Sequence, residues 1–344
     1  MSVIASARRS RSNPLRRLLV RPETGAVVGS IAVWIFFAII AGNYGFVTSL
    51  GASSYLSVSA EFAIQAVPVA LLMIGGEFDL SVGSTVGATG MLLAILTTQY
   101  GWNVWAAIVA ALVFAALIGV VNGYLVLRTG LPSFIVTLGT AYILLGTTTG
   151  LTAHLTGLTV VNGVDKAAGY SSAHAIFATA LGGGQLYPIE MLWALALVVL
   201  ATWLLLGTSF GNWIFGVGGD ANAARNIGVP VRRVKILLFV GTAMGSCLLA
   251  IIQVMTFTNA DVLRGQGNEF YAIVSAVIGG VLLTGGYGSA IGAMFGALVF
   301  GIVEEGIVFA GVDANWYKAV VGVILLLAVL LNSYVRKLAM EARR

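Results

Sequence analysis

Residues 75–84 read GGEFDLSVGS, with two carboxylates, Glu77 and Asp79, set between long apolar runs. An unpaired charge inside a bilayer is expensive, so the flanking runs decide how these acids are read. The chain of 344 residues is 59% hydrophobic and only 9% charged, with a mean hydropathy of +0.98. A soluble domain carries about a quarter of its residues as charges. Apolar stretches of ~20 residues recur along the sequence, which defines an all-α polytopic membrane protein. The short alternating segments of a β-barrel are not seen.

Hydropathy places about ten transmembrane helices, near 26–42, 52–74, 79–98, 102–127, 133–152, 188–206, 235–258, 270–285, 289–310 and 316–333. The arginine-rich start (Arg8, Arg9, Arg11, Arg16, Arg17, Arg21) precedes an apolar run but no A-x-A cleavage pattern, so it reads as a retained first span. With the N-terminus cytoplasmic, the inner segments carry those arginines together with Arg128, Arg225, Arg232, Arg233, Lys235, Arg336, Lys337, Arg343 and Arg344. Only Lys166, Arg264 and Lys318, of 18 basic residues, then fall outside. This bias satisfies the positive-inside rule with an even number of spans and both termini cytoplasmic. The net charge of +5 is thereby a feature of topology, and no nucleic-acid partner is expected.

Several chemistries are set aside by composition. The single cysteine, Cys247, lies in an apolar run and reads as a small core residue. His154 and His174 have no metal-ligand spacing around them, so no metal is expected. None of the four lysines closes a G-x-x-x-x-G-K-[ST] phosphate loop, and no catalytic constellation is present. Uphill transport would need ATP hydrolysed by another polypeptide, or an ion gradient.

The most informative hydrophilic stretch is GVGGDANAARNIGVPVRRVKI, 216–236, within the inner segment 207–234. Gly218 and Gly219 break the preceding structure, Asp220 caps a short helix from Ala221 to Ile227, Gly228 suits its left-handed C-terminus, and Pro230 stops continuation. Ala223, Ala224 and Ile227 offer a shallow apolar contact, with Arg225, Arg232 and Arg233 as a cationic rim. The element is either a knob for a partner's groove or an ordinary interfacial helix.

The segment resembles the cytoplasmic loop of bacterial ABC-transporter permeases, through Gly219, Ala223, Ala224, Arg225, Gly228, Val231 and Lys235; Asp220 stands where asparagine is common. Residues 75–84 resemble the GGIDLSVGS segment of the ribose/monosaccharide permeases, with Glu77 and Phe78 replacing Gly-Ile. GVVNGYLVLRTGLPSFIVTLGT (119–140) and IGGVLLTGGYGSAIGAMFGALVFG (278–301) resemble two further segments of that family, in family order. The resemblance implies a transport subunit, not an enzyme, in the bacterial cytoplasmic (inner) membrane. It implies one transmembrane permease domain over 26–335, with basic tails at 1–25 and 336–344, and 207–234 as the ATPase-coupling loop. The implied partners are a second permease chain, as homodimer or heterodimer, a cytoplasmic ATPase holding ATP and Mg, an external solute-binding protein and the lipid bilayer. This chain itself would hold no cofactor. The implied solute is a pentose, hexose or related polyol, with branched-chain amino acids the alternative; a secondary transporter is the competing class.

The remaining acids are read from position. Gly75 and Gly76 permit a tight reversal. Asp79 reads as the N-cap of the third span, helped by Ser81, and serves either as a cap near an inner gate or as a group touching solute. Glu77 reads as solvated and interfacial. Glu61, along the second span, is either a pathway lining or a buried hydrogen-bond tie. Asn122, Thr137 and Gln253 are the neutral polar candidates for a path taking an uncharged hydroxylated solute. Glycines spaced by four (Gly83 and Gly87, Gly119 and Gly123, Gly241 and Gly245, Gly292 and Gly296) predict close helix packing.

Overall fold

The computed structural model describes residues 22–182 and 187–320, together with 322, 323 and 326. The arginine-rich start, most of the tenth expected span and the C-terminal basic tail lie outside the described residues.

In chain order the helices and strands are α1 (Pro22–Ala41), α2 (Ser49–Ile74), α3 (Val82–Thr98), α4 (Val104–Thr129), α5 (Ser133–Thr156), β1 (Val160–Asn162), α6 (Tyr170–Phe177), β2 (Ala180–Leu181), β3 (Tyr187–Pro188), α7 (Glu190–Gly207), α8 (Ser209–Gly219), α9 (Ala221–Asn226), α10 (Val231–Phe257), β4 (Asn259–Asp261), α11 (Asn268–Ile278) and α12 (Ala290–Phe309). Seven of these, α1, α2, α4, α5, α7, α10 and α12, are long and apolar enough to cross a membrane. The chain is a polytopic helical membrane protein.

Two expected spans come out shorter. α3 has 17 residues, and α11 has 11, a rise of about 16 Å against a hydrocarbon core of about 30 Å. The span expected over 270–285 therefore stops at Ile278. Gly280 takes φ +86°, its N–H bonds to Val277 O at 3.0 Å, and Val281 N–H bonds to Ala276 O at 3.0 Å. That pattern is a Schellman closure, which only a glycine enters without strain. Hydropathy ran across this stop because Val281, Leu282 and Leu283 keep the average apolar.

α2 and α10 form the centre, 72% and 67% buried over their apolar windows, against 17% for α5. α2 packs on α12 and α10, α4 packs on α10, and α1 packs on α12. Glycine makes these approaches possible. A Cβ at Gly119 would meet the Phe239 and Val240 backbone of α10, one at Gly292 the Gly279 backbone just past α11, one at Gly296 the Ser275 backbone of α11, and one at Gly245 the α2 residues Ile64 and Pro68. In lipid such contact is a main source of helix association. Gly241 differs: nothing lies within 4 Å of its Cβ position.

The end of the bundle carrying the α5–α7 connection is closed by small elements. β1 pairs antiparallel with β4, Val161 opposite Ala260, and β2 with β3. α6 is anchored by the Trp105 indole N–H on Ser172 Oγ at 2.9 Å and by Phe177 stacked on Trp193 at 5.3 Å between ring centres.

Candidate functional site

Segment 207–234 is mostly helical rather than a loop. Thr208 caps α8, its Oγ1 accepting from Gly211 N–H at 3.1 Å, and α8 buries Gly211, Ile214 and Val217. α9 follows after one residue. Asp220 Oδ1 accepts from Asn222 N–H at 2.8 Å and Ala223 N–H at 3.0 Å, satisfying donors that a helix start leaves free. Gly228 at φ +88° closes the helix, with Val229 N–H on Ala224 O at 3.1 Å. The two-turn element is presented outward: Ile227 is 82% exposed, and Ala223, Arg225, Arg232 and Arg233 are exposed. Ala224 is the correction to the expected apolar face. It is 3% exposed and packs into the chain's own core, because α9 leans on α8.

Beneath α9 three glycine pairs meet backbone to backbone. Gly286 N–H donates to Ile74 O at 2.8 Å. A Cβ on Gly218 would collide with Ile74 O and with Gly286 N, and one on Gly285 would stand 2.8 Å from Gly218 O and 2.9 Å from Gly76 Cα. Gly76, Gly285 and Gly286 all have positive φ. The last turn of α2, the last turn of α8 and the turn between α11 and α12 are thus fused at one point, and no local pattern marks these three distant pairs as touching. Gly219 sits at its edge, with nothing within 4 Å of its Cβ position.

Residues 77–81 form a second junction beside the first. Phe78 N–H donates to Ser133 Oγ at 2.9 Å and Leu80 N–H to Thr137 Oγ1 at 2.9 Å, both on α5. Asn122 Nδ2 on α4 donates to Ser81 Oγ at 2.9 Å. Asp79 Oδ1 accepts from Ser81 N–H at 2.9 Å and Ser81 Oγ at 2.6 Å, and Oδ2 accepts from Thr242 Oγ1 of α10 at 2.6 Å. The expected cap is therefore displaced. α3 begins at Val82 after Ser81, and Asp79, 1% exposed, ties the loop to α10 instead. Glu77 is not solvated: it is 8% exposed and forms an ion pair with Lys235. Lys235 was legible as a loop residue, but its partner lies 158 positions away.

The polar residues expected along a path separate into two groups. Asn122 and Thr137 are fully buried and hold residues 80 and 81, so neither faces open space in this chain. Glu61 Oε2 accepts from Gln253 Nε2 at 2.6 Å, a tie between α2 and α10. One turn along α2, Ser57 donates to Glu190 at the start of α7.

Long apolar helices clasping a short exposed helix define a helical membrane protein. A family described as "Branched-chain amino acid transport system / permease component" matches residues 51–329. The chain is 31% identical over 305 residues to the ribose import permease protein RbsC of Escherichia coli (strain K12), covering 88% of this chain and 92% of that one. It is 33% identical over 267 residues to the autoinducer 2 import system permease protein LsrD of Photorhabdus luminescens, covering 77% and 78%. It is 30% identical over 290 residues to the inner membrane ABC transporter permease protein YjfF of Escherichia coli (strain K12), covering 84% and 85%. No solved structure matches. The chain belongs to this family of ABC-transporter permeases, and it is a transport subunit rather than an enzyme.

Proposed function

We propose that this chain forms half of the translocation path of an importer, driven by a separate ATPase that holds ATP and Mg and fed by an external solute-binding protein. The observation that carries this is α9: a capped two-turn helix, exposing Ala223, Arg225 and Ile227, packed on α8, whose last turn enters the junction with α2 and the α11–α12 turn. A helix this short has no stability of its own, so its rigidity comes from the junction, and a push on α9 is delivered to the ends of α2 and α12. The chain then has both termini in the cytoplasm of a bacterium and lies in its inner membrane, as the asymmetry of basic residues supports. A second permease chain covers α5, whose Gly139, Gly146, Gly150 and Ala153 share one exposed face. The solute is a monosaccharide or related polyol, since a relative aligned over 88% of this chain is named for ribose.

The test is co-purification of the ATPase with A223E and with I227E. Both positions are exposed, so the variants keep the fold, whereas replacing buried Ala224 would disturb the chain itself. The expected outcome is loss of the ATPase with unchanged membrane insertion. Normal ATPase recovery in both variants refutes docking through α9.

A further inference from the structure

An apolar groove of about 470 Å³ lies between α2, α4, α7 and α10, bordered by Pro68, Leu71, Trp193, Leu204, Gly241 and Met244 among others. α7 packs on α2 and α8, and the groove separates it from α10. Along α10 the lining runs from Leu237 to Ile251, about 21 Å at the helical rise. The groove is long for its volume and lined almost wholly by apolar side chains, which suits a single hydrocarbon chain. A helix with side chains is about 10–12 Å across and does not fit. Gly241 lies in this wall with open space at its Cβ position.

The groove has one charged end. Positions 233, 237, 241, 244 and 248 of α10 follow the three-and-four spacing of a single helix face, so Arg233 stands one turn beyond Leu237 in line with the slot. Arg233 is exposed, and no ion-pair partner engages it among the described residues. A guanidinium is suited to bidentate phosphate contact, and a basic residue at a membrane surface draws anionic lipid. Both ends of a membrane-crossing helix reach a surface, so Arg233 lies at headgroup depth whichever way the chain is oriented.

We propose that this groove holds one acyl chain of an anionic phospholipid whose phosphate is bound by Arg233. The lipid fills the gap between α7 and α10 and so braces the helix that follows α9. The inference stands independently of the importer reading, since it needs only a membrane and α10.

The test is native mass spectrometry of the full chain, purified in mild detergent and reloaded with phosphatidylglycerol or phosphatidylethanolamine. The wild type is expected to retain one phosphatidylglycerol in preference to phosphatidylethanolamine. R233Q, a change at an exposed position, is expected to weaken phosphatidylglycerol retention by about fivefold, the worth of one basic residue at an anionic surface, and phosphatidylethanolamine retention by less, because its ammonium already offsets the phosphate charge. G241L, which occupies the slot, is expected to lose both lipids. Equal retention of the two lipids by the wild type, or equal retention by wild type and R233Q, overturns the proposal. So does a G241L variant that still holds lipid, or one whose only defect is loss of a dimer, which would make the occupant a second copy of the chain.

Discussion

Glu77 and Lys235 show how far a single charge depends on its partner. Their side chains retain 11% and 16% of their exposure, so each has lost most of its water and takes the other as its partner. Removing one partner of a fully buried pair costs roughly 3–5 kcal/mol; residual solvent at this pair reduces that to about 2 kcal/mol. K235A is expected to lower the thermal midpoint of the detergent-solubilised protein, and E77Q combined with K235M to restore most of the loss. Equal midpoints for the single and double variants would show that the pair contributes packing alone. Asp79 makes the complementary point. Its three donors, Ser81 N–H, Ser81 Oγ and Thr242 Oγ1, include no cation, so its carboxylate is held entirely by neutral hydrogen bonds.

At the scale of elements, the glycine junction is what makes α9 part of the bundle. Two adjacent glycines at the end of α8 have opposite surroundings: Gly218 touches Ile74 and Gly286, while Gly219 has nothing within 4 Å of its Cβ position. G218A must separate α8 from α2, because backbone atoms cannot move aside as a flexible side chain can. Its expected cost is at least about 2 kcal/mol, in the range of core overpacking, and G219A is expected to stay within about 0.5 kcal/mol of wild type. Denaturation of the two variants side by side checks this, and similar stabilities would remove the junction from the account. Because α9 rests on the same contact, G218A is also expected to uncouple solute uptake from ATP hydrolysis in reconstituted vesicles, even where the ATPase still binds.

At the scale of the whole molecule, burial is uneven, and α5 is the least buried of the seven membrane-crossing helices among the described residues. α5 is 17% buried over its apolar window, while α2 in the same bundle is 72% buried. Gly146 and Gly150 on its open face have nothing within 4 Å of their Cβ positions, so cysteine fits there without displacing anything. Cys247 is buried, which leaves an introduced thiol as the reactive one. If a second permease chain covers this face, G150C is expected to form a disulfide-linked dimer under mild oxidation in the membrane, and a cysteine on the outer face of α7, at Leu195, is not. The reverse pattern would place the interface on α7.

Much was legible in the chain from local rules. The composition and the ~20-residue apolar period determined a helical membrane protein, and Asp220, Gly228 and Pro230 determined a two-turn helix, because capping and left-handed glycine are properties of neighbouring residues. What only the tertiary structure decided are the contacts between residues far apart in sequence. Glu77 finds Lys235, Asp79 finds Thr242, and three glycine pairs meet under α9. Hydropathy averages cannot see a pairing across 158 positions, which depends on what lies opposite, nor that Gly280 ends α11, since one left-handed glycine barely changes the average of its apolar neighbours. The sign of Asn122 and Thr137 was lost for the same reason: a polar side chain in a span looks alike from sequence whether it faces a path or a buried loop in need of hydrogen bonds.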